Sequence, residues 1–266
     1  MTRIVPIAVY GAGGRMGQAI VRLASGEPRV EVVAAIVKEG SPEAGKRLHD
    51  TSEADLRYAT TLDAAITPSV LIDFSFAGAF DDALALALAR RSAFVSGTTG
   101  LSAQQHAALG DASKTIPVLW SANFSIGVAV LDRLVREAAR ALSAWDCEIA
   151  EAHHRHKKDA PSGTALALGR AAAEARGVDF ERVAQRERPG RGARDASTIG
   201  FASIRAGDIV GEHTVLFAGE GERIELTHRA TDRTIFARGA LRAAVWIAGR
   251  SPGWYTLADV IGAPCA

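Results

Sequence analysis

The stretch Val9–Gly17, VYGAGGRMG, decides how the first half of the chain is read. An apolar run, Ile7 to Tyr10, enters it. A segment with helical spacing leaves it, Arg15 to Ser25, with Met16, Ile20 and Leu23 on one side. Small residues let a backbone turn tightly and approach a pyrophosphate, while a helix N-terminus supplies amide donors and a favourable dipole. Gly11 and Gly13 fit the first two glycines of G-x-G-x-x-G, but Met16 holds the third place. Gly14 and Gly17 instead give G-x-x-G-x-x-G spacing with Gly11. An ordinary Gly-rich turn is the plain alternative. The position of the loop near the start of an alternating pattern favours a dinucleotide.

Outward from that loop, strand-like and helix-like segments alternate. Val30 to Val37, Val70 to Phe74, Ala93 to Ser96 and Ile116 to Trp120 read as strands. Phe80 to Arg91 and Ser102 to Ser113 read as helices, the second with Ser102 as its N-cap. This predicts a Rossmann-like, doubly wound α/β domain with a parallel sheet covered on both faces. The pattern changes after about Asn123. Gly127 to Leu142 reads as a long amphipathic helix, Asp146 to Ala152 as a strand, and Ser162 to Arg176 as a helix. Arg186 to Arg194 reads as a mobile loop. Thr198 to Arg205, His213 to Ala218 and Arg223 to His228 read as strands, with a hairpin turn at Ala218–Gly221, and Phe236 to Ala248 as the final helix. Consecutive strands without helices between them predict a second, α+β domain with an open mixed sheet.

The composition excludes several classes. Hydrophobic residues make up 48% and charged residues 23% of 266 residues, which is ordinary globular composition. Lys plus Arg is 31 against Asp plus Glu 30, so the net charge of +1 does not suit a nucleic-acid binder. Cys147 and Cys265 form no disulfide or metal pattern, in keeping with a reducing cytoplasm. The start of the chain carries one charge, Arg3, and a short apolar stretch broken by Pro6, which is not a signal peptide. No run approaches the ~20 apolar residues that span a bilayer, so no membrane partner is expected.

Strand ends bear on the cofactor. The second strand ends Ile36-Val37-Lys38-Glu39, with no carboxylate at the place where a ribose-binding acid is expected. Lys38 there favours or permits NADPH through its 2′-phosphate, the alternative being a solvated strand-end charge. Gly97-Thr98-Thr99-Gly100 and Ser121-Ala122-Asn123-Phe124 follow two further strands. They read equally as lining for a nicotinamide–ribose end or as a plain turn and a helix cap.

The segment Glu151–Thr164, EAHHRHKKDAPSGT, holds His153, His154 and His156 among Arg155, Lys157 and Lys158. Its cations and the amides of Gly163 and Thr164 at a helix start suit a dicarboxylate or other anion, and a histidine there suits proton transfer near neutral pH. A solvated basic loop is the structural alternative. A zinc site lacks supporting ligands, so no metal is expected, and a nucleic-acid patch lacks aromatic residues.

With these residues quoted, the chain resembles the 4-hydroxy-tetrahydrodipicolinate reductase (dihydrodipicolinate reductase) family of bacterial diaminopimelate and lysine biosynthesis. GAGGRMG, GTTG, SANFSIGV, EAHHRHKKDAPSGTA and RAGDIVGEHTV carry the resemblance from residue 11 to about 215. It implies NAD(P)H-dependent reduction of 4-hydroxy-tetrahydrodipicolinate with loss of water. His153 would be the catalytic acid/base and Lys157 the second catalytic group. His154 would contact substrate, and Gly163 and Thr164 would bind a substrate carboxylate. Gly11, Ala12, Gly13, Gly14, Arg15, Met16, Gly97, Thr98, Thr99, Ser121, Ala122, Asn123 and Phe124 would bind NADPH or NADH, joined by Lys38. Family members often carry an acidic residue and then an arginine where Val37 and Lys38 stand, which weighs against strong NADH preference. The resemblance further implies a homotetramer built through the second domain's sheet, and a C-terminal helix that returns to the cofactor domain. The expected domains are therefore 1–124 with 234–266 for the dinucleotide, and 125–233 for substrate and oligomerisation. Two other readings compete. One is a different Rossmann imine or amino-acid reductase, which would need fewer cations. The other is a dinucleotide sensor, which would bind NADPH without consuming it.

Overall fold

The structure, a computed structural model, describes residues 4–48 and 55–262. Arg3 and Cys265 lie outside the described residues. The chain forms two compact units, Met1–Ile126 with Thr234–Ala266, and Gly127–Arg233.

In the first unit the chain runs β1 (Val5–Tyr10), α1 (Arg15–Ala24), β2 (Val30–Ile36), β3 (Tyr58–Ala59), β4 (Val70–Asp73), α2 (Phe80–Arg90), β5 (Ala93–Ser96), α3 (Ala103–Ala112) and β6 (Pro117–Trp120). In the second unit it runs α4 (Ile126–Ala141, beginning at the junction), β7 (Asp146–His153), α5 (Gly163–Ala175), α6 (Phe180–Val183), β8 (Ala184–Gln185), β9 (Ile199–Arg205), β10 (Gly211–Ala218) and β11 (Arg223–Ala230). It then returns to the first unit as α7 (Thr234–Ile247), β12 (Gly253–Tyr255) and α8 (Leu257–Gly262).

The first sheet has the order β12-β6-β5-β4-β1-β2-β3, and all its pairs are parallel. Every residue of β4 and β5 is buried, and so are Ile7, Ala8 and Val9 of β1. Burial on both faces explains why these strands read as continuous apolar runs rather than alternating ones. The order reverses between β1 and β4, which opens a crevice beyond their carboxyl ends. α3 starts at a full capping box: Ser102 Oγ accepts from Gln105 N, and the Gln105 side chain accepts from Ser102 N.

Two glycines let neighbouring segments meet at backbone distance. A Cβ on Gly17 of α1 would overlap the Gly11 carbonyl oxygen and Ala12 Cα. A Cβ on Gly239 of α7 would overlap the Phe124 carbonyl oxygen.

The second sheet has the order β11-β10-β7-β9-β8. β10 is antiparallel to both β11 and β7, whereas β7 and β8 are parallel to β9, so the sheet is mixed. Cys147, Ile149, Ile199, Val215 and Phe217 point from one face into a core shared with Leu131, Val135 and Ala139 of α4 and Leu168 and Ala172 of α5. Burying each large side chain there contributes roughly 1.5–3 kcal/mol. On the other face Ala150, Ala202 and Ile204 are exposed.

Four features depart from the sequence expectations. The helix expected to be final is followed by β12 and α8. β12 has only three residues, too few to show periodicity, and it is held at the sheet edge by packing: Trp246 of α7 meets Tyr255 edge-on at 5.4 Å, and Arg250 caps the Trp246 ring at 3.5 Å. β3 and β8, of two residues each, carry no sequence signal for the same reason. β7 runs one residue further than expected, through His153, so that histidine belongs to a strand. The stretch expected to be mobile, Arg186–Arg194, is irregular but tied down at its end. Arg194 donates to Asp146 Oδ1 and Glu148 Oε1, each at 2.8 Å, and to the carbonyls of Cys147 and Thr198.

Gly17→Ala is expected to force the loop and α1 apart. Overpacking of this kind costs about 2 kcal/mol, so calorimetry should show a melting temperature lower by roughly 5 °C. Dinucleotide binding, read by fluorescence titration, should weaken with it.

Candidate active site

Two groups of expected site residues come together, one in each unit. In the first unit, the Gly11–Met16 loop follows β1 and opens α1 with Gly14 as its N-cap. Gly11 has φ +77°, and a Cβ there would meet the Phe74 carbonyl oxygen at 2.8 Å, so glycine is required on both counts. The loop is pinned by Ala12 N–H to Ile36 O (2.9 Å) and Gly14 N–H to Gly11 O (3.0 Å). The first amides of α1, those of Arg15 and Met16, have no intrahelical acceptor. A crevice of about 380 Å³ lies here, lined by Gly11, Gly13, Gly14, Lys38, Phe74 and Phe76 among others. Lys38 is exposed immediately past β2, and Phe76 is 61% exposed. A glycine-floored cleft with free amides and a cation at its rim fits a phosphate-bearing dinucleotide.

The other two strand ends are already partly committed. Thr98 is buried: its hydroxyl donates to Asp73 Oδ2 (2.8 Å) and accepts from Ser75 N (3.1 Å), and its carbonyl accepts from Trp120 Nε1 (2.9 Å). Asp73 is itself fully buried and also accepts from the hydroxyls of Ser75 (2.6 Å) and Ser96 (2.8 Å). Burial pushes its carboxyl above the usual range, against those hydrogen bonds. Thr99 and the backbone of Gly97 stand beside this knot. Ser121 donates to Asn123 O (2.8 Å), and Asn123 Oδ1 accepts from Ser125 N (2.8 Å), a turn that leads into α4. Ala122 is exposed, while the Phe124 ring is buried against Phe74 at 5.3 Å. Phe124 therefore offers a ligand only its main chain.

In the second unit the core face of β7 changes character along its length. Cys147 and Ile149 face the apolar core, and the next residues on that face, Glu151 and His153, are buried and polar. His153 Nδ1 lies 2.6 Å from Glu151 Oε2. Arg205, opposite His153 in the β7–β9 register, donates to both oxygens of Glu151 at 2.8 and 2.6 Å. Ser162 N–H adds a further hydrogen bond, 3.2 Å, to Oε1. His213, opposite Glu151 on β10, meets the His153 ring edge-to-face at 5.2 Å, and its Nε2 is 3.0 Å from Ser162 Oγ. Ser162 also caps α5, its Oγ accepting from Ala165 N. The next two residues, Gly163 and Thr164, therefore sit at the N-terminus of α5, where a carboxylate is favoured.

Electrostatics separates these groups. Burial alone would raise the Glu151 carboxyl. Hydrogen bonds from Arg205, Ser203 and His153 outweigh it and push the group down to about 2. Burial lowers His153 below the usual histidine value, opposed by Glu151. Burial also drives His213 down, to about 4. Lys157 follows β7, and its Nζ is clasped by both Asp159 carboxylate oxygens at 2.8 and 2.9 Å. His154 Nε2 accepts from Arg233 Nη2 at 3.1 Å, and the two residues line an open concavity of about 620 Å³ with Arg155, His156, Gly207 and Asp208. Among the described residues no cluster of His, Cys, Asp or Glu is placed to hold a metal ion.

Sequence reasoning missed Glu151, Arg205, His213, Asp159 and Arg233 as parts of this site. The first four lie in or beside quoted motifs. The roles of Glu151, Arg205 and His213 depend on cross-strand pairing that linear spacing does not reveal.

Comparison with known proteins accounts for the arrangement. Two family models match, "Dihydrodipicolinate reductase, N-terminus" over residues 5–124 and "Dihydrodipicolinate reductase, C-terminus" over residues 127–261. The chain belongs to the dihydrodipicolinate reductase family. It is 49% identical to the 4-hydroxy-tetrahydrodipicolinate reductase of Stenotrophomonas maltophilia (strain K279a), over 96% of this chain and 97% of that one. Identity to the enzyme of that name from Alkalilimnicola ehrlichii is also 49%, over 96% and 98%. A solved dipicolinate-bound dihydrodipicolinate reductase from Paenisporosarcina sp. TG-14 shares the fold, with TM-score 0.76, 23% identity, and coverage of 95% of this chain and 97% of that one. The mixed second sheet and the parallel first sheet are thus the architecture of a dihydrodipicolinate reductase.

The buried neutral His213 makes a prediction about pH. Below pH 6.5 the unfolded chain takes up a proton that folded His213 refuses until about pH 4. Its contribution is complete above pH 6.5 and is lost as pH falls from there toward 4, a change on the order of 3 kcal/mol. Urea unfolding at pH 7.5 and 4.5 should show stability falling with pH, and the fall should be smaller in His213→Gln.

Proposed function

We propose that this chain is the NAD(P)H-dependent reductase of diaminopimelate and lysine biosynthesis. It converts 4-hydroxy-tetrahydrodipicolinate, with NAD(P)H and a proton, to tetrahydrodipicolinate, NAD(P)⁺ and water. The observation that carries this is His153: a buried imidazole oriented by a carboxylate, beside a helix N-terminus, in a chain about half identical to enzymes named for that reaction.

The bound dinucleotide supplies the hydride; the chain's own residues do the rest. Gly11, Ala12, Gly13, Gly14, Arg15 and Met16 hold its pyrophosphate through backbone amides. The backbone of Gly97, Thr98, Thr99 and of Ser121, Ala122, Asn123 and Phe124 forms the wall for its nicotinamide end. Lys38 takes the 2′-phosphate of NADPH. With Val37 where a ribose-binding acid would stand, NADH keeps a site but loses that partner.

The dicarboxylate substrate binds in the second unit. The amides of Gly163 and Thr164 hold one carboxylate, and His154 holds another part of the anion. Lys157 orients the substrate or donates a proton once the substrate's charge competes with Asp159 for its ammonium. His153 delivers the proton to the ring carbon next to the one that receives hydride.

Assembly as a homotetramer through the second sheet is supported by its uncovered face, where Ala150, Ala202 and the 55%-exposed Ile204 stand. The cytoplasm, where NAD(P)H and biosynthetic intermediates are available, is the proposed place of work.

The test is NADPH oxidation by the purified protein, with substrate made in situ from pyruvate and aspartate semialdehyde by its synthase and NADH run in parallel. Synthase-dependent oxidation is expected. Its absence in a folded, NADPH-binding protein would favour a different reductase or a sensor. His153→Gln should slow turnover by ~10²–10⁴ with little change in NADPH affinity. Turnover within about threefold of wild type would remove His153 from the chemistry. Lys38→Ala should weaken NADPH binding more than NADH binding; equal losses would place Lys38 away from the 2′-phosphate.

A further inference from the structure

The motif Arg205–Val215, RAGDIVGEHTV, has no task in the reaction as derived so far, yet three of its residues converge on one imidazole. Arg205 grips both oxygens of Glu151. A Cβ on Gly211 would stand 3.1 Å from His153 Nε2, so glycine leaves that atom clear. His213 packs edge-to-face on the ring.

We propose that this segment is a positioning frame for His153, which acts through Glu151 to make Nε2 the atom that carries the transferred proton. The proposal rests on the reading of His153 as proton donor.

The chemistry follows from what each group can accept or donate. An ionised carboxylate only accepts, so Nδ1 must be the protonated nitrogen facing Glu151. Nε2 is then free to take a proton and give it up. A lone buried carboxylate would hold the imidazole as a permanent cation and slow that release. Arg205 neutralises it while leaving Oε2 as an acceptor, so orientation is kept and the charge is balanced. The charged and titratable groups facing His153 are Glu151 on its own strand, Arg205 on β9, His213 on β10 and Lys157 in the loop that follows, itself paired with Asp159. At neutral pH His213 is uncharged and does not compete for the proton. Gly211 does not have a positive φ, so backbone conformation does not account for it; the space beside Nε2 does.

A buried ion pair holding β7 to β9 would also put Arg205 and Glu151 in contact, so the test must separate structure from chemistry. Glu151→Gln keeps the shape. Arg205 will take the amide oxygen, which turns the NH₂ toward Nδ1 and makes that nitrogen an acceptor. The expected result in the full-length enzyme is a kcat about 100-fold lower. NADPH affinity and substrate KM should stay within about threefold, and the alkaline limb of the kcat–pH profile should move to lower pH, because His153 must be protonated to donate and loses the carboxylate that favours its protonated form. A lower melting temperature with kcat and the pH profile unchanged in the folded protein would overturn the proposal.

The double variant with His153→Gln distinguishes failure of the frame from failure of the His153 reading. If Glu151 acts through His153, adding Glu151→Gln to His153→Gln costs less than about twofold. A further 100-fold loss there would overturn the frame, whereas near-normal turnover of His153→Gln alone would overturn the reading beneath it. Gly211→Ala tests the other side of the ring and does not depend on the ion pair. It should lower kcat about tenfold with NADPH affinity unchanged, and an unchanged kcat would remove Gly211 from the frame.

Discussion

The second unit is organised by one interaction, the paired hydrogen bonds between Arg205 and Glu151 across β9 and β7. A carboxylate this deeply buried is costly unless its lone pairs are filled and its charge is met. Arg205 does both, and Ser162 N–H, His153 Nδ1 and Ser203 add further hydrogen bonds. The pair thereby couples three elements: β9, the end of β7 and the start of α5. It also depends on register. Side chains alternate along a strand, so a slip of one residue in β7 would turn Glu151 and His153 to the other face and Cys147 and Ile149 out of the core. The packing of the apolar half of the strand and the chemistry of its polar half are therefore set by the same constraint.

A buried carboxylate also organises the first unit, with the opposite electrostatic outcome. Asp73 ends β4 and gathers Ser75, Ser96 and Thr98 from two adjacent strand ends. Its partners are neutral hydroxyls, so burial prevails and its carboxyl is pushed up. Glu151 has a guanidinium, so its carboxyl is pushed down. The difference suits the tasks in the proposed reaction. Asp73 fixes the shape of the loops after β4 and β5, where charge is not needed. Glu151 fixes the ring proposed to gain and lose a proton, where a stable negative charge on one nitrogen's partner is needed.

Much of this was legible in the chain. The alternating segments, the glycine loop, Ser102 as a cap, the histidine tract and the helix at Ser162 all follow from local preferences, and local preferences survive folding wherever packing agrees with them. Edge strands of two or three residues were not legible, because they are held by contacts such as Trp246 on Tyr255 rather than by a pattern of their own. The motif around Arg205 was visible as a resemblance but had no role, since nothing in linear spacing says that residues 54 and 60 positions apart will form one ion pair or one ring stack.

By itself, then, the sequence determined the two kinds of sheet and set out a glycine loop and a histidine tract as candidates for a dinucleotide and an anion, with His153 singled out within the tract by the family resemblance. Each of these resides in a short contiguous stretch whose residue types limit what it can do. Only the tertiary structure decided which nitrogen of His153 is held, which carboxylate holds it and which arginine balances that carboxylate. It also showed that the Phe124 ring is core and that Arg194 anchors its loop. These depend on strand order and register, which are settled by the burial of whole faces against one another and which no short stretch contains.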